Sequence, residues 1–247
     1  MVGSPAKRYG IASLVVFMLG LSMAGQAQAD HADGRSHSLQ PTAKKSWTAL
    51  LLAPAAVHGS PGGRVRSHLG TASLWDKGPV QLMVLDNKMI GNTEWLQVRL
   101  PTRPNSSRGW IDANYARLHV DPWRVDVSRS KKRLSVYRAG RRVRTFKVVV
   151  GKPSTPTPSG LFAIYEKIPQ HPITEFEGAE VLTLTAHSNK LKHFEGGPGR
   201  VAIHGRAGAS LYDPLGTARS HGCIRVSNHP VRWIAHHLPL GTSVRVY

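Results

Sequence analysis

One cysteine in 247 residues excludes any disulfide within the chain. Acidic residues are scarce too: 14 Asp and Glu face 33 Lys and Arg, a formal charge of +19, so the surface seeks anions rather than cations. The one long apolar run, Ile11 to Ala24, is shorter than the ~20 residues a membrane-spanning helix needs. No pair of histidines at helical i, i+4 spacing encloses a glutamate, and the adjacent His236 and His237 cannot face one ligand on a helix. No metal and no other cofactor is therefore expected. Repeats of 20 to 50 residues are absent, and helical periodicity is poor almost throughout, which argues against a solenoid or a helical bundle.

What is present starts with an export signal. Lys7 and Arg8 precede the apolar run, and Ala27-Gln28-Ala29 follows it, so residues 1–29 read as a signal peptide cleaved after Ala29. That predicts a secreted, extracytoplasmic protein with no stable membrane span after cleavage. No cysteine near the cleavage site is available to carry a lipid. For an exported basic chain, anionic wall polymers or lipid headgroups fit better than nucleic acid. Export also sharpens the meaning of the single cysteine, because exported domains commonly pair theirs.

With 40% apolar and 19% charged residues the chain can bury a real core. Residues 30–46 are polar and read as a flexible leader. From 47 to 119, short alternating runs such as Val80 to Val84 and Trp95 to Val98, with a Pro101 to Gly109 loop before Gly109-Trp110-Ile111, predict a small β domain. A second domain, 123–247, begins after Asp121-Pro122. Its strands are expected at Arg124 to Val127, Arg133 to Tyr137, Val143 to Val150 and Leu161 to Glu166, with a Pro/Ser/Thr-rich loop from Gly151 to Gly160. Gln170 to Gly199 is a long excursion of the kind that forms lids or substrate-binding loops. One short helix is expected at Pro230 to Leu238, stopped by Pro239 and Gly241, before a last strand from Thr242 to Tyr247. The fold class is mainly β.

The chemistry concentrates in Ile203-His204-Gly205 and, nineteen positions past the histidine, the cysteine of Ser220-His221-Gly222-Cys223-Ile224-Arg225. A thiol with pKa ~8.5 is mostly protonated at neutral pH and needs an imidazole to take its proton. His204 and His221 are both candidates. His221 lies two residues from Cys223, whereas His204 ends an apolar run and is freer to be oriented toward the thiol, which favours it as the base. Gly222 lets the backbone turn without a Cβ, so main-chain N–H groups there can meet a developing oxyanion. Arg225 can hold a substrate carboxylate through a paired hydrogen bond.

These two segments resemble the signature of the L,D-transpeptidase (YkuD-type) catalytic domain, and the Gly151 to Gly160 loop with its preceding hairpin also resembles what that family carries, over roughly Trp123 to Tyr247. The resemblance implies a β-sandwich catalytic domain, Cys223 as nucleophile, His204 as base and the Gly205 backbone carbonyl as its orienter. It implies that Ser220, His221 and Arg225 line the substrate site. The implied substrates are peptidoglycan stem peptides: D-Ala is released from a tetrapeptide stem and the acyl group passes to another stem's amine, giving a 3→3 cross-link at the cell wall. The 47–119 segment resembles the bacterial Src-homology-3-like barrels that accompany wall enzymes. Alternatives are an L,D-carboxypeptidase using water as acceptor, a non-catalytic wall-binding protein, and a sortase-like transpeptidase; the glycine-flanked thiol and the close spacing to His204 argue against the last. A papain-like hydrolase would place its cysteine before the base, the reverse of the order here.

Overall fold

The computed structural model describes residues 38–173, 176–194 and 196–247. The segment expected to be a signal peptide, and residues 30–37 of the expected leader, lie outside the described residues. Seven strands come first: β1 (Ser46–Leu51), β2 (Ala55–His58), β3 (Val65–Leu69), β4 (Gln81–Ile90), β5 (Thr93–Arg99), β6 (Arg108–Asp112) and β7 (Ala116–Asp121). They form one sheet in the order β3-β2-β6-β5-β4-β1-β7. Their alternation is what two-faced strands require: Leu82 and Val84, Leu96 and Val98, and Ile111 are all buried in one core. Leu39 joins that core, and its N–H donates to Asn87 Oδ1 at 3.0 Å. The leader is thus docked from Leu39 onward, because its one leucine finds an apolar slot that a composition reading does not see.

The second sheet is built from β8 (Trp123–Ser128), β9 (Arg133–Arg138), β10 (Arg141–Lys147), β12 (Gly160–Pro169), β13 (Glu180–His187), β14 (Arg200–His204), β16 (Ile224–Arg225) and β17 (Ser243–Val246), with β11 (Val150–Gly151) and β15 (Ala218–Ser220) pairing in parallel beside it. Its order is β10-β9-β8-β17-β12-β13-β14-β16. The strand expected from Val143 to Val150 breaks after Lys147. Val149 exchanges both backbone hydrogen bonds with Arg225, at 2.9 Å each, so the chain leaves β9 and crosses to the segment that carries the cysteine. That detour delivers the 151–160 loop to the site.

The single α-helix, α1 (Asn228–His237), buries Val231 and Ile234 against the second core, beside Leu182 and Ile203. Pro230 sits in its first turn, where a missing N–H costs nothing. Among the described residues no helix is long and apolar enough to cross a membrane. The two sheets belong to one compact unit, and Tyr165 of β12 packs into the first sheet's core.

Candidate active site

The site sits on the open face at one edge of the second sheet. Strand β16 lies parallel to β14, with Ile203 opposite Ile224 and His204 opposite Arg225. Both isoleucines are fully buried in the core. Because side chains alternate across a strand, Ala202 and His204 must face the other way, and Arg225, with Cys223 two residues before it, faces the same way. Antiparallel β13 continues the row, with Val181 opposite His204 and Thr183 opposite Ala202. These residues line a cavity of about 230 Å³ closed by Phe176, Phe194 and Trp75.

His204 is 3% exposed and its Nδ1 lies 2.9 Å from the Gly205 carbonyl oxygen. A carbonyl only accepts, so Nδ1 carries the proton and Nε2 keeps its lone pair. Burial first and the Arg225 cation second lower the pKa of His204 to about 4, against backbone hydrogen bonds with Gly205 and Glu177 that raise it. The ring is therefore neutral at neutral pH, a base ready to accept a proton rather than an imidazolium formed in advance.

The turn before Cys223 is held by hydroxyls. Ser220 Oγ donates to the Cys223 carbonyl at 2.6 Å and accepts from the Gly222 N–H at 3.1 Å. Thr157 Oγ1 donates to the Gly222 carbonyl at 2.8 Å and accepts from the Gly151 N–H at 2.9 Å. Gly222 has φ +127°, a backbone conformation that side-chain-bearing residues avoid. Cys223 itself is half-buried on the cavity.

Two expectations change here. Gly222 was expected to offer its N–H to an oxyanion, but that N–H is engaged by Ser220 Oγ. Ser220 was expected to line the substrate site; it is fully buried and braces the turn, because its short hydroxyl satisfies two main-chain groups that would otherwise be buried unpaired. His221 does reach the mouth, exposed, with Lys152 Nζ 3.4 Å from its Nε2 and the Phe194 ring at 5.6 Å. Arg225 faces the cavity, yet its Nη1 donates to Asp213 Oδ2 at 2.5 Å and its guanidinium lies over the Phe176 ring at 4.6 Å. The carboxylate it holds is the protein's own.

Residues 122–246 match the L,D-transpeptidase catalytic domain family, YkuD. The chain belongs to that family. The YkuD protein of Bacillus licheniformis is 35% identical over 125 residues, 51% of this chain and 66% of that one, so the chain spans just under two thirds of that relative's length. Among solved structures, an L,D-transpeptidase from Mycobacterium smegmatis is similar at 17% identity over 63% of this chain and 90% of that one, with a TM-score of 0.40. Another, from Xylanimonas cellulosilytica, is 28% identical over 51% of this chain and 60% of that one, with a TM-score of 0.36. Membership rests on the family match and not on these low scores.

Within the YkuD domain, sequence reasoning missed several neighbours of His204 and Cys223. Asn228 Oδ1 accepts from the N–H groups of Ala179 and Arg206, at 3.1 and 2.9 Å, and its Nδ2 donates to the Arg206 carbonyl at 3.0 Å, which pins the turn just after His204. The only signal in the sequence was an asparagine at a helix start, and that reads as a cap. Thr157 and Asp213 gave no signal beyond a Pro/Ser/Thr-rich loop and a turn. Among the described residues no cluster of three or more His, Cys, Asp or Glu can hold a metal ion.

Proposed function

We propose that the protein is an exported, cysteine-dependent L,D-transpeptidase acting on peptidoglycan stem peptides. The observation that carries it is the parallel pairing of β14 with β16, which turns His204 and Cys223 onto one cavity with Nδ1 of the histidine fixed by the Gly205 carbonyl. Cys223 Sγ attacks the carbonyl ahead of the terminal D-Ala while His204 Nε2 takes the thiol proton. The tetrahedral intermediate collapses, the C–N bond breaks, and His204 returns the proton to the leaving D-Ala amine. An acceptor amine from a second stem then attacks the thioester and yields its proton through His204, giving a 3→3 link and restoring the thiol. Arg225 holds the substrate carboxylate in exchange for Asp213.

Tetrapeptide stems should release D-Ala with the wild-type protein and not with Cys223→Ser; equal release from both would remove Cys223 from the chemistry. Mass spectrometry of the products, with and without an added diaminopimelate-type amine, separates transfer from an L,D-carboxypeptidase reaction, in which tripeptide alone appears. A protein that pellets with cell walls but releases no D-Ala would be a non-catalytic wall-binding protein. Anionic wall polymers suit the surface, since no acidic residue occurs between Asp126 and Glu166 and β10 forms a cationic sheet edge. The Src-homology-3-like reading of the first sheet is supported by its short strands and the Gly109-Trp110-Ile111 step.

A further inference from the structure

We propose that the first sheet is a working wall of the catalytic cavity: its 101–107 loop, through Arg103 and Asn105, positions the 188–199 segment that carries Phe194 beside Cys223, and so sets how tightly substrate is held. Three carbonyls of that segment accept from one guanidinium: Arg103 Nη1 reaches Ser188 at 2.8 Å, and Nη2 reaches Leu191 at 2.9 Å and Pro198 at 3.0 Å. Asn105 Nδ2 donates to the His187 carbonyl at 2.6 Å and to Asn189 Oδ1 at 2.8 Å, while Asn105 Oδ1 accepts from the His187 N–H at 2.8 Å. Six hydrogen bonds thus tie this loop to the end of β13 and to the segment that follows it, 82 to 95 residues away in the chain. A packing contact between two sheets does not need that density of directed bonds on one short segment.

The segment they hold reaches the reactive group. Ser188, Leu191, Phe194 and Gly199 line a crevice together with His221 and Cys223. Its tip is closed by Phe194 and Gly197, whose backbones exchange hydrogen bonds at 3.0 and 2.9 Å. At its far end Gly199 has φ +68°, and a Cβ there would run into the Leu191 carbonyl and press on Arg103 Nη2. The backbone must approach the guanidinium that closely for the clamp to close. A second part of the first sheet touches the cavity directly. Trp75 lines it, its backbone N–H donating to Glu166 Oε1 at 3.0 Å and its ring lying beneath the Arg200 guanidinium at 5.1 Å. Glu166 is fully buried, so the main chain that carries the indole is anchored in the second sheet.

The inference deepens the assignment of Cys223 as the reactive thiol, and its test does not depend on turnover. Arg103 is exposed, so Arg103→Ala and Arg103→Ala/Asn105→Ala should keep the fold. In the full chain, iodoacetamide should alkylate Cys223 about tenfold faster in the double variant than in wild type, with faster hydrogen exchange across residues 188–194, as expected when several hydrogen bonds to one segment are lost together. In D-Ala release the KM should rise about tenfold with kcat nearly unchanged, the pattern of lost ground-state positioning. Trp75→Ala should raise KM without changing exchange in 188–194. Alkylation and exchange at wild-type rates in both Arg103 variants, even with a lowered Tm, would make the clamp mere packing and overturn the proposal. Absence of D-Ala release from wild type would instead count against the proposed reaction, while alkylation and exchange still decide the clamp.

Discussion

At the scale of single residues the site is governed by what burial does to charge. Arg225 is 4% exposed and lies close enough to His204 to help keep that ring neutral. A guanidinium so enclosed needs a counter-ion, and Asp213, twelve positions upstream, supplies it. Removing one partner of a buried pair leaves the other charge uncompensated, at a cost of about 3 kcal/mol or more. Asp213 is itself partly solvated, so the lower end of that range applies. Asp213→Ala should therefore lower stability by about 2 to 3 kcal/mol in urea unfolding, and Asp213→Asn, which keeps an acceptor, by clearly less. A loss below about 0.5 kcal/mol for the alanine variant, the size of an exposed ion pair, would show that water already compensates Arg225.

At the scale of elements, the turn before Cys223 is held from a distant loop as well as by Ser220 at the end of β15. Thr157 reaches across 65 positions to the Gly222 carbonyl and also receives the Gly151 N–H, so one hydroxyl fixes both sides of the 151–160 loop against the cysteine. Thr157→Val keeps the shape and removes both bonds, leaving a buried carbonyl and a half-buried N–H unsatisfied. It should cost about 2 to 3 kcal/mol and slow D-Ala release, while Thr157→Ser restores most of both. If the valine variant turns over normally, the turn is held by other contacts. Strands β8 and β9 were legible in the sequence because alternation is a local property: Val125, Val127, Leu134 and Val136 each point inward. The break after Lys147 was not, since it depends on Val149 pairing with Arg225, a partner that no window of neighbouring residues contains.

At the scale of the whole molecule the same division holds. His204 and Cys223, nineteen positions apart, stand out as candidates from the residues around them, but Arg103 and its carbonyl acceptors are 85 or more positions apart and meet only when two sheets dock. Docking also buries ionisable groups, and this makes stability depend on pH. Burial lowers both His204 and His187 to about 4, below the usual imidazole value. As pH falls from about 6.5 toward 4, the unfolded chain takes up protons that the fold refuses, so the histidines' contribution to stability is full above 6.5 and is lost in that window. His204 alone accounts for a loss on the order of 2 kcal/mol at pH 5. Asp121 acts in the opposite sense. Burial raises its carboxyl from 3.8 to about 6, so the fold holds a proton that the unfolded chain has released, and its contribution improves as pH falls through 6. Two groups outweigh one, and stability should drop between pH 7 and pH 5. Asp121→Asn keeps an acceptor for the Trp123 N–H but removes the offset, so its urea midpoint should fall more steeply than that of wild type over the same interval. An equal fall in the two proteins would mean that Asp121 is ionised in the fold and that its burial is relieved by solvent.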